Sequence, residues 1–222
     1  EDGFGLRPNI GLRGTSTDRS EKVTLLEDGI LIAPAPYAAP AAYYFPSVAR
    51  MSGVEVSKGP ASIKHGPNTV GGVINFVSTP IPDEFSGKVE ARFGSWDTYQ
   101  VHGNVGGKID GFGVLAETLV RGSDGFKDID GGGDSGYQIE DYVLKLSYET
   151  DDDASVPQSV IVKLGYTDQT SDETYLGLTD EDFEANHDRR YVASANDRFD
   201  SEHKQVQITH NIEFTPDFKL TT

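Results

Sequence analysis

The sequence predicts a mainly β protein in two unlike regions, a compact region of short strands followed by a series of longer antiparallel strands. Three observations predict this fold class. The 222 residues include 25 glycines, 10 tyrosines and 11 phenylalanines, residue types that favour turns and strands. Apolar and polar residues alternate along most of the second region. The connections between the alternating segments are short and long in turn.

Residues 1–80 form the first region, which we expect to be a compact mixed α/β domain with short strands. It holds seven acidic and seven basic side chains, so its charge is balanced. A loop rich in proline, alanine and tyrosine occupies residues 34–46. The turn residues Glu27-Asp28-Gly29 separate two apolar runs. Short strands are predicted at 22–26, 30–32, 54–56 and 73–77.

Residues 81–222 predict about six antiparallel strands, each of roughly ten residues. The first is typical: along residues 86–94 every second side chain is apolar, namely Val89, Ala91 and Phe93. A period of two is the spacing of a β-strand, whose successive side chains point to opposite faces. The same pattern recurs at 99–105, 112–121, 139–149, 160–166 and 205–214, and a seventh strand begins near Lys219.

The connections between these strands predict a membrane barrel. Those at 108–111, 150–157 and 215–217 are short, whereas those at 122–138 and 168–203 are long and acidic. Short turns on one rim and long loops on the other are typical of outer-membrane β-barrels. A soluble β-sandwich is the alternative, because its strands alternate as well. Aromatic residues near strand ends favour a barrel with interfacial girdles: Tyr99, Phe112, Tyr148, Tyr166 and Phe214.

Charge and composition exclude several classes of function. The formal net charge of −17 speaks against nucleic-acid binding, which needs a basic surface. All of it lies in residues 81–222, which hold 29 acidic and 12 basic side chains. The sequence has no cysteine, hence no disulfide, thiolate metal site or cysteine nucleophile. The five histidines form no metal-binding or catalytic motif, and no phosphate-binding loop is present. We therefore expect no enzymatic activity.

Four ordered motifs give the most specific signal. They are RPNIGLRG at 7–14, LEDGI at 26–30, EVSKGP at 55–60 and GPNTVGGVIN at 66–75. In this order and spacing the chain resembles the plug domain of TonB-dependent outer-membrane receptors. The glycines and prolines suit tight turns and close backbone approach, and we interpret them as shaping the fold.

The resemblance implies that residues 1–80 are the plug domain without its N-terminal part and that residues 81–222 are the first barrel strands. It implies a barrel of roughly 22 strands filled by the plug, placed among outer-membrane lipids, and import energised by TonB. The TonB box that precedes the plug in this family is absent. Because residues 1–5 contain neither an initiator methionine nor a signal peptide, we expect a segment of a longer chain.

The cargo implied by the resemblance is a ferric chelate. Residues 35–46 are most similar to the ferric-citrate receptor branch, and residues 173–191 resemble a long extracellular loop of the same group. We expect ferric dicitrate or a siderophore, with cobalamin or an oligosaccharide as alternative cargo. An alternative of another class is a soluble surface or secreted β-domain that binds calcium or a protein partner through its acidic loops.

Candidate site residues follow from these expectations. Contacts between plug and barrel are expected for Arg13 and Arg50 with acidic wall residues such as Glu90 and Glu117. Four aspartates beside three glycines could bind Ca²⁺, although most acidic loops are simply solvated: Asp124, Asp128, Asp130 and Asp134. For the candidate tyrosines the alternative is packing of the loop on itself, and for Arg19 and Lys22 it is a solvated charge or a salt bridge to the barrel wall. The candidate ligand-binding residues are Tyr37, Tyr43, Tyr44, Arg19, Lys22, Arg189 and Arg190.

Overall fold

The chain divides into two compact units, Glu1–Thr79 and Pro80–Thr222. In both, β-strands dominate. No helix among the described residues combines the length and the apolar character needed to cross a membrane. The computed structural model describes residues 6–32, 44–66, 69–151 and 153–222.

The first unit contains a four-stranded sheet in the order β2-β1-β4-β3. Strand β1 lies antiparallel to β2 and parallel to β4, and β3 lies antiparallel to β4. The strands are β1 (Val23–Glu27), β2 (Ile30–Leu31), β3 (Met51–Ser57) and β4 (Gly72–Ser78). Short 3-10 helices lie at Asp18–Ser20, Val48–Arg50 and Pro60–His65.

The apolar core of the first unit lies on the central strands. All five residues of β1 are buried, which explains why its apolar run does not alternate. Asp28 and Gly29 turn the chain from β1 to β2 with φ angles of 51° and 83°, the left-handed conformation of a tight hairpin turn. The core is formed by Val23, Leu25, Ile32, Tyr44, Ile74 and Phe76.

The Gly71-Gly72 pair has a structural role. A Cβ atom on Gly71 would lie 2.9 Å from the carbonyl oxygen of Lys22, and one on Gly72 would lie 2.7 Å from that of Ser57. Gly72 also has a φ of 144°, which side chains disfavour. The pair therefore lets β4 enter the sheet between β1 and β3.

The second unit is built on a seven-stranded antiparallel sheet in the order β13-β12-β10-β9-β7-β6-β5. The sheet is open, with β5 and β13 at its edges. A parallel pair of two-residue strands, β8 and β11, lies outside it. The elements are β5 (Ser86–Phe93), β6 (Tyr99–Ile109), β7 (Phe112–Ser123), β8 (Asp128–Ile129), β9 (Tyr137–Glu149), β10 (Gln158–Asp172), α1 (Asp180–Ala185), β11 (Arg189–Arg190), a 3-10 helix (Val192–Ser194), β12 (Arg198–Thr215) and β13 (Phe218–Thr221).

The two faces of this sheet are the reverse of those in a soluble protein, where the apolar face is buried and the polar face is exposed. One face is apolar and exposed, and the other is polar and largely buried. An outward apolar face is what a strand needs to meet lipid, so the structure assigns the faces that periodicity leaves open. The exposed face carries Val101, Val105, Phe112, Val114, Tyr142, Leu144, Leu146, Tyr148, Leu164, Val206 and Ile208. The buried face carries mostly polar side chains, His102, Glu117, Asp141, Lys145, Ser147, Lys163, Thr167 and Gln169, together with the apolar Leu115, Leu119, Ile139 and Val143.

The aromatic residues of the exposed face pair across strands at the two limits of its apolar band. Phe112 and Tyr148 lie 4.7 Å apart, ring centre to ring centre, at the short-turn end. Tyr142 and Tyr166 stack at 6.4 Å nearer the long loops. The position of these rings fits an interfacial girdle.

The strands beside the second long connection extend further than the sequence predicts. Strand β10 reaches Asp172 and β12 begins at Arg198, so residues 173–197 make the connection. Asp168 and Glu202 therefore lie opposite each other in the sheet. Beyond the apolar band both strand faces are polar, so alternation no longer marks the strand.

Candidate functional site

The acidic ends of the strands come together at one rim of the sheet. We call residues 94–98, 123–136 and 172–198 the outer rim, because in outer-membrane barrels the longer loops are extracellular. The strand register places all three segments at the same end of the sheet. The outer rim contains 13 acidic and four basic side chains.

Backbone hydrogen bonds join the two longer segments of the outer rim. In the parallel pair β8–β11, the amide of Asp128 donates to the carbonyl oxygen of Asp188 at 2.8 Å. The amide of Asp130 donates to the carbonyl oxygen of Arg190, also at 2.8 Å. Two connections far apart in sequence thus form one structure.

The side chain of Arg189 reinforces this junction. Its Nε and Nη2 atoms donate to the two carboxylate oxygens of Asp130 at 3.0 Å, and its Nη1 donates to Asp182 at 2.6 Å. The guanidinium also lies over the ring of Tyr191, 5.5 Å from its centre. We call these four residues the rim clasp. The planar guanidinium suits such bidentate pairing.

Helix α1 supplies Asp182 to the rim clasp. Its N-cap Thr179 accepts a hydrogen bond from the amide of Asp182 at 3.2 Å, as an N-cap residue does. The hydroxyl of Tyr191 donates to Asp182, and together with Thr179 and Arg189 it lowers the pKa of that carboxyl. The hydrogen bonds and charge of Asp130, with the charge of Asp182, raise the pKa of Arg189.

The other three cations of the outer rim also have partners within the protein. Arg190 donates to the carbonyl oxygens of His187 at 2.9 Å and Arg189 at 2.6 Å. The Nε of Arg198 donates to Asp200 at 3.0 Å. Lys127 is 8 % exposed, and its ammonium donates to the hydroxyl of Thr174 at 2.7 Å.

The shortest segment of the outer rim is attached to the others through Trp96. Its ring centre lies 5.6 Å from that of Phe126. Its carbonyl oxygen accepts hydrogen bonds from the amide of Asp124 and the hydroxyl of Ser123, both at 3.0 Å. All three connections are therefore cross-linked.

The calcium prediction is not supported. Of the four aspartates proposed as ligands, Asp130 is held by Arg189, and Asp124, Asp128 and Asp134 do not complete a site with it. Among the described residues, no group of three or more His, Asp or Glu side chains is arranged to hold a metal ion. Arg189 engages one of the four proposed ligands, Asp130.

The structure separates the predicted ligand-binding residues of the first unit. Tyr37 and Tyr43 lie outside the described residues. Tyr44 is 9 % exposed and belongs to the core cluster, and a ligand contact of this residue stays a prediction. Lys22 pairs with Glu21 at 3.2 Å, and the amide of Arg19 donates to Asn9 at 3.0 Å. A ligand contact of Arg19 or Lys22 stays a prediction, as it does for Arg189 and Arg190.

Arg50, predicted to contact the barrel, forms a buried ion pair inside the first unit. Its Nη1 and Nη2 atoms donate to the carboxylate of Glu27 at 2.8 and 3.2 Å. The two side chains are 1 % and 3 % exposed. Arg13 lies in a turn with a φ of 58°. A contact of either arginine with the barrel stays a prediction.

Glu90 and Glu117, the acidic residues predicted to contact Arg13 and Arg50, have partners within the sheet. Glu90 accepts from Lys88 at 2.8 Å and also pairs with Arg92. Glu117 lies 2.9 Å from the Nε2 atom of His102, with both side chains buried. These pairs place charge along the polar face of β5–β7.

Sequence reasoning missed several residues of these networks. Glu27 ends an otherwise apolar run, a signal that such a charge needs a buried partner. Thr179 precedes Asp182 by three residues, a spacing that predicts a helix start. Nothing in the sequence pairs Arg189 with Asp130 or Lys127 with Thr174, because these residues are 59 and 47 positions apart.

Comparison with known proteins agrees with the motifs and the fold. Residues 1–73 match the model of the TonB-dependent receptor plug domain. A curated relative, the vitamin B12 transporter BtuB of Photobacterium profundum, is 26 % identical over 165 residues. That match covers 73 % of this chain and 24 % of BtuB.

Solved structures resemble both units. The ferric citrate transporter FecA matches 96 % of this chain and 31 % of its own, with 27 % identity and a TM-score of 0.73. The ferric yersiniabactin receptor FyuA of Yersinia pestis matches 98 % of this chain and 34 % of its own, at 22 % identity and a TM-score of 0.71, a likeness of fold. The chain thus spans about a third of these structures. With the plug motifs and the apolar outward face, these matches support a fragment of a TonB-dependent receptor of the bacterial outer membrane, in which residues 1–73 match the plug domain.

Proposed function

We propose that this chain belongs to a receptor that captures a ferric chelate outside the cell and imports it with energy from TonB. In this proposal residues 1–80 are the plug that gates the passage, and residues 81–222 begin the barrel wall. The transport step is a change of conformation and needs no covalent chemistry.

The observation that supports this function most strongly is the likeness to the ferric citrate transporter FecA, which extends over 96 % of the chain. The match includes the plug motifs as well as the strands. A plug provides a gate, and the family name implies TonB as the energy-coupling partner. The same likeness favours a receptor over the soluble β-domain considered from the sequence.

Uptake assays test the proposal. Cells that produce the complete receptor would be given radiolabelled iron as ferric dicitrate, as hydroxamate chelates or as catecholate chelates, in matched strains with and without TonB. We expect at least one chelate to accumulate in the strain that has TonB and not in the strain that lacks it. Equal accumulation in both strains would contradict energised import, and accumulation of none would contradict a ferric cargo.

Cobalamin is the second candidate cargo. The vitamin B12 transporter BtuB of Photobacterium profundum is 26 % identical over 165 residues, which favours it over an oligosaccharide. Radiolabelled cobalamin in the same two strains distinguishes the candidates. Uptake of cobalamin that depends on TonB, without uptake of any ferric chelate, would replace the first candidate by the second.

A further inference from the structure

The charge of the outer rim bears on the kind of cargo that can pass it. Its 13 acidic and four basic side chains give a net charge of −9. An anionic cargo can approach such a surface only if cations turn toward it. The question is therefore whether the four rim cations are available.

Contacts within the protein engage all four cations, although the side chain of Arg198 remains 55 % exposed. Arg189 is shared between Asp130 and Asp182, so turning it toward a cargo would leave two carboxylates facing each other without their counter-charge. The ammonium of Lys127 is bonded to Thr174 in a position that is 8 % exposed. Arg190 and Arg198 are bonded to carbonyl oxygens and to Asp200.

The cross-links between the segments keep this arrangement in place. The β8–β11 pair, the rim clasp and the contact of Trp96 with Phe126 each join two different connections. A segment can therefore swing its cations outward only by breaking contacts with its neighbour. One rim cation, Arg198, is exposed, whereas at least four rim carboxylates are exposed: Asp134, Asp180, Glu181 and Glu184.

We propose that the outer rim acts as a charge filter that disfavours anionic chelates and admits uncharged or cationic ones. The inference rests on the proposed import function and narrows its cargo class. Fixed charges of one sign change the local concentration of mobile ions, about threefold for a monovalent ion per kT of potential. The filter would therefore make uncharged or cationic hydroxamate chelates better cargo than ferric dicitrate.

A label on the rim tests the filter without any cargo. This chain has no cysteine; with any cysteine elsewhere in the complete receptor replaced by serine, a Tyr175→Cys variant carries a single fluorophore at a side chain that is 67 % exposed. Quenching by caesium and by iodide would be compared at low salt, with acrylamide as the uncharged reference. Relative to quenching of the free dye, we expect caesium to be favoured over iodide at least about threefold. Equal relative quenching by the two ions would overturn the proposal.

A matched pair of variants assigns the effect to the rim. The triple variant Asp134→Asn, Glu181→Gln, Glu184→Gln removes three exposed carboxylates that take no part in the rim clasp. The control Asp110→Asn, Asp153→Asn, Asp217→Asn makes the same charge change at the short-turn end. We expect the preference for caesium to fall in the first variant and to persist in the second. An equal fall in both would contradict a local filter.

Binding of three probes to the complete receptor completes the test: anionic ferric dicitrate, uncharged ferrichrome and cationic ferrioxamine B. Salt should strengthen the binding of ferric dicitrate and weaken that of ferrioxamine B, because screening acts with opposite sign on repulsion and attraction. Tight binding of ferric dicitrate that salt weakens would overturn the filter. If no chelate is bound or imported while the quenching contrast holds, the filter stands and the proposed ferric cargo fails.

Discussion

The two units of the chain each contain an arginine held by carboxylates, and the two arginines differ in burial. In the first unit, Arg50 and Glu27 are 1 % and 3 % exposed. In the second, Arg189, Asp130 and Asp182 are 37 %, 38 % and 30 % exposed. Water screens the charges of the exposed network, whereas the charges of the buried pair are shielded from water and depend on each other. The same chemistry should therefore stabilise the fold in one unit and organise loops in the other.

The largest effect is expected when the buried pair is broken. Arg50→Met leaves the Glu27 carboxylate buried without its partner, and loss of one member of a buried pair costs about 3–5 kcal/mol. Amide hydrogen exchange of β1 and β4 in the complete receptor measures this loss as a fall in the free energy of opening.

The double variant Glu27→Leu, Arg50→Met is the control, because it removes both charges. We expect it to recover most of the lost free energy, since an apolar pair of similar volume is tolerated at such positions. A double variant as unstable as the single one would contradict the importance of the unpaired charge.

The apolar residues of the two units extend the comparison. Leu25 is 0 % exposed, whereas Leu144 is 37 % exposed on the outward face. Leu25→Ala should lower the free energy of opening of β1 by about 2–5 kcal/mol, because it leaves a cavity. In detergent, Leu144→Ala should lower the free energy of opening of β9 by less than about 1 kcal/mol. Equal losses would contradict the assignment of the outward face.

The rim clasp should have a smaller and more local effect. Arg189→Gln removes the charge shared by Asp130 and Asp182, so exchange of the amides in β8 and β11 should rise roughly three- to tenfold. Exchange within β9 and β10 should not change. Arg198→Gln is the control, because its partner Asp200 lies two residues away on the same strand. The clasp would be refuted if both variants altered β8 equally.

The smallest effect is expected from acid. Because the pKa of Asp182 is lowered in the folded rim, its contribution is present above the ordinary value of 3.8 and is lost as the pH falls through the lowered pKa. Exchange of β8, corrected for the intrinsic effect of pH, should therefore rise below pH 3.8. The Asp182→Asn variant should lack this rise, and a rise of the same size in it would point to another group.

The alternating strands could be predicted from the sequence because one face had to be apolar along the membrane-facing span. The prediction at 86–94 differs from the observed strand Ser86–Phe93 by one residue. Prediction from alternation failed at the outer ends of β10 and β12, where both faces of the strand are polar. Periodicity also left open which face is outward, since alternation is the same for lipid outside or a core inside.

The site could be predicted far less completely. The plug motifs identify the family, but the partners of Arg189 and Arg50 depend on long-range contacts, 59 and 23 residues apart. The four aspartates of residues 124–134 suggested calcium by composition, whereas in the fold one of them, Asp130, pairs with Arg189. Residue type indicated that charges would gather at the rim, and only the three-dimensional arrangement indicates which charges neutralise each other.

The outward orientation of the apolar face is the central claim, and β12 tests it directly. This chain has no cysteine. With any cysteine elsewhere in the complete receptor replaced by serine, spin labels can be placed singly in lipid vesicles through Val206→Cys, Gln207→Cys, Ile208→Cys and Thr209→Cys. Collision with oxygen, which concentrates in lipid, should be high at 206 and 208 and low at 207 and 209. High oxygen collision at 207 and 209 instead, or no alternation, would contradict the account.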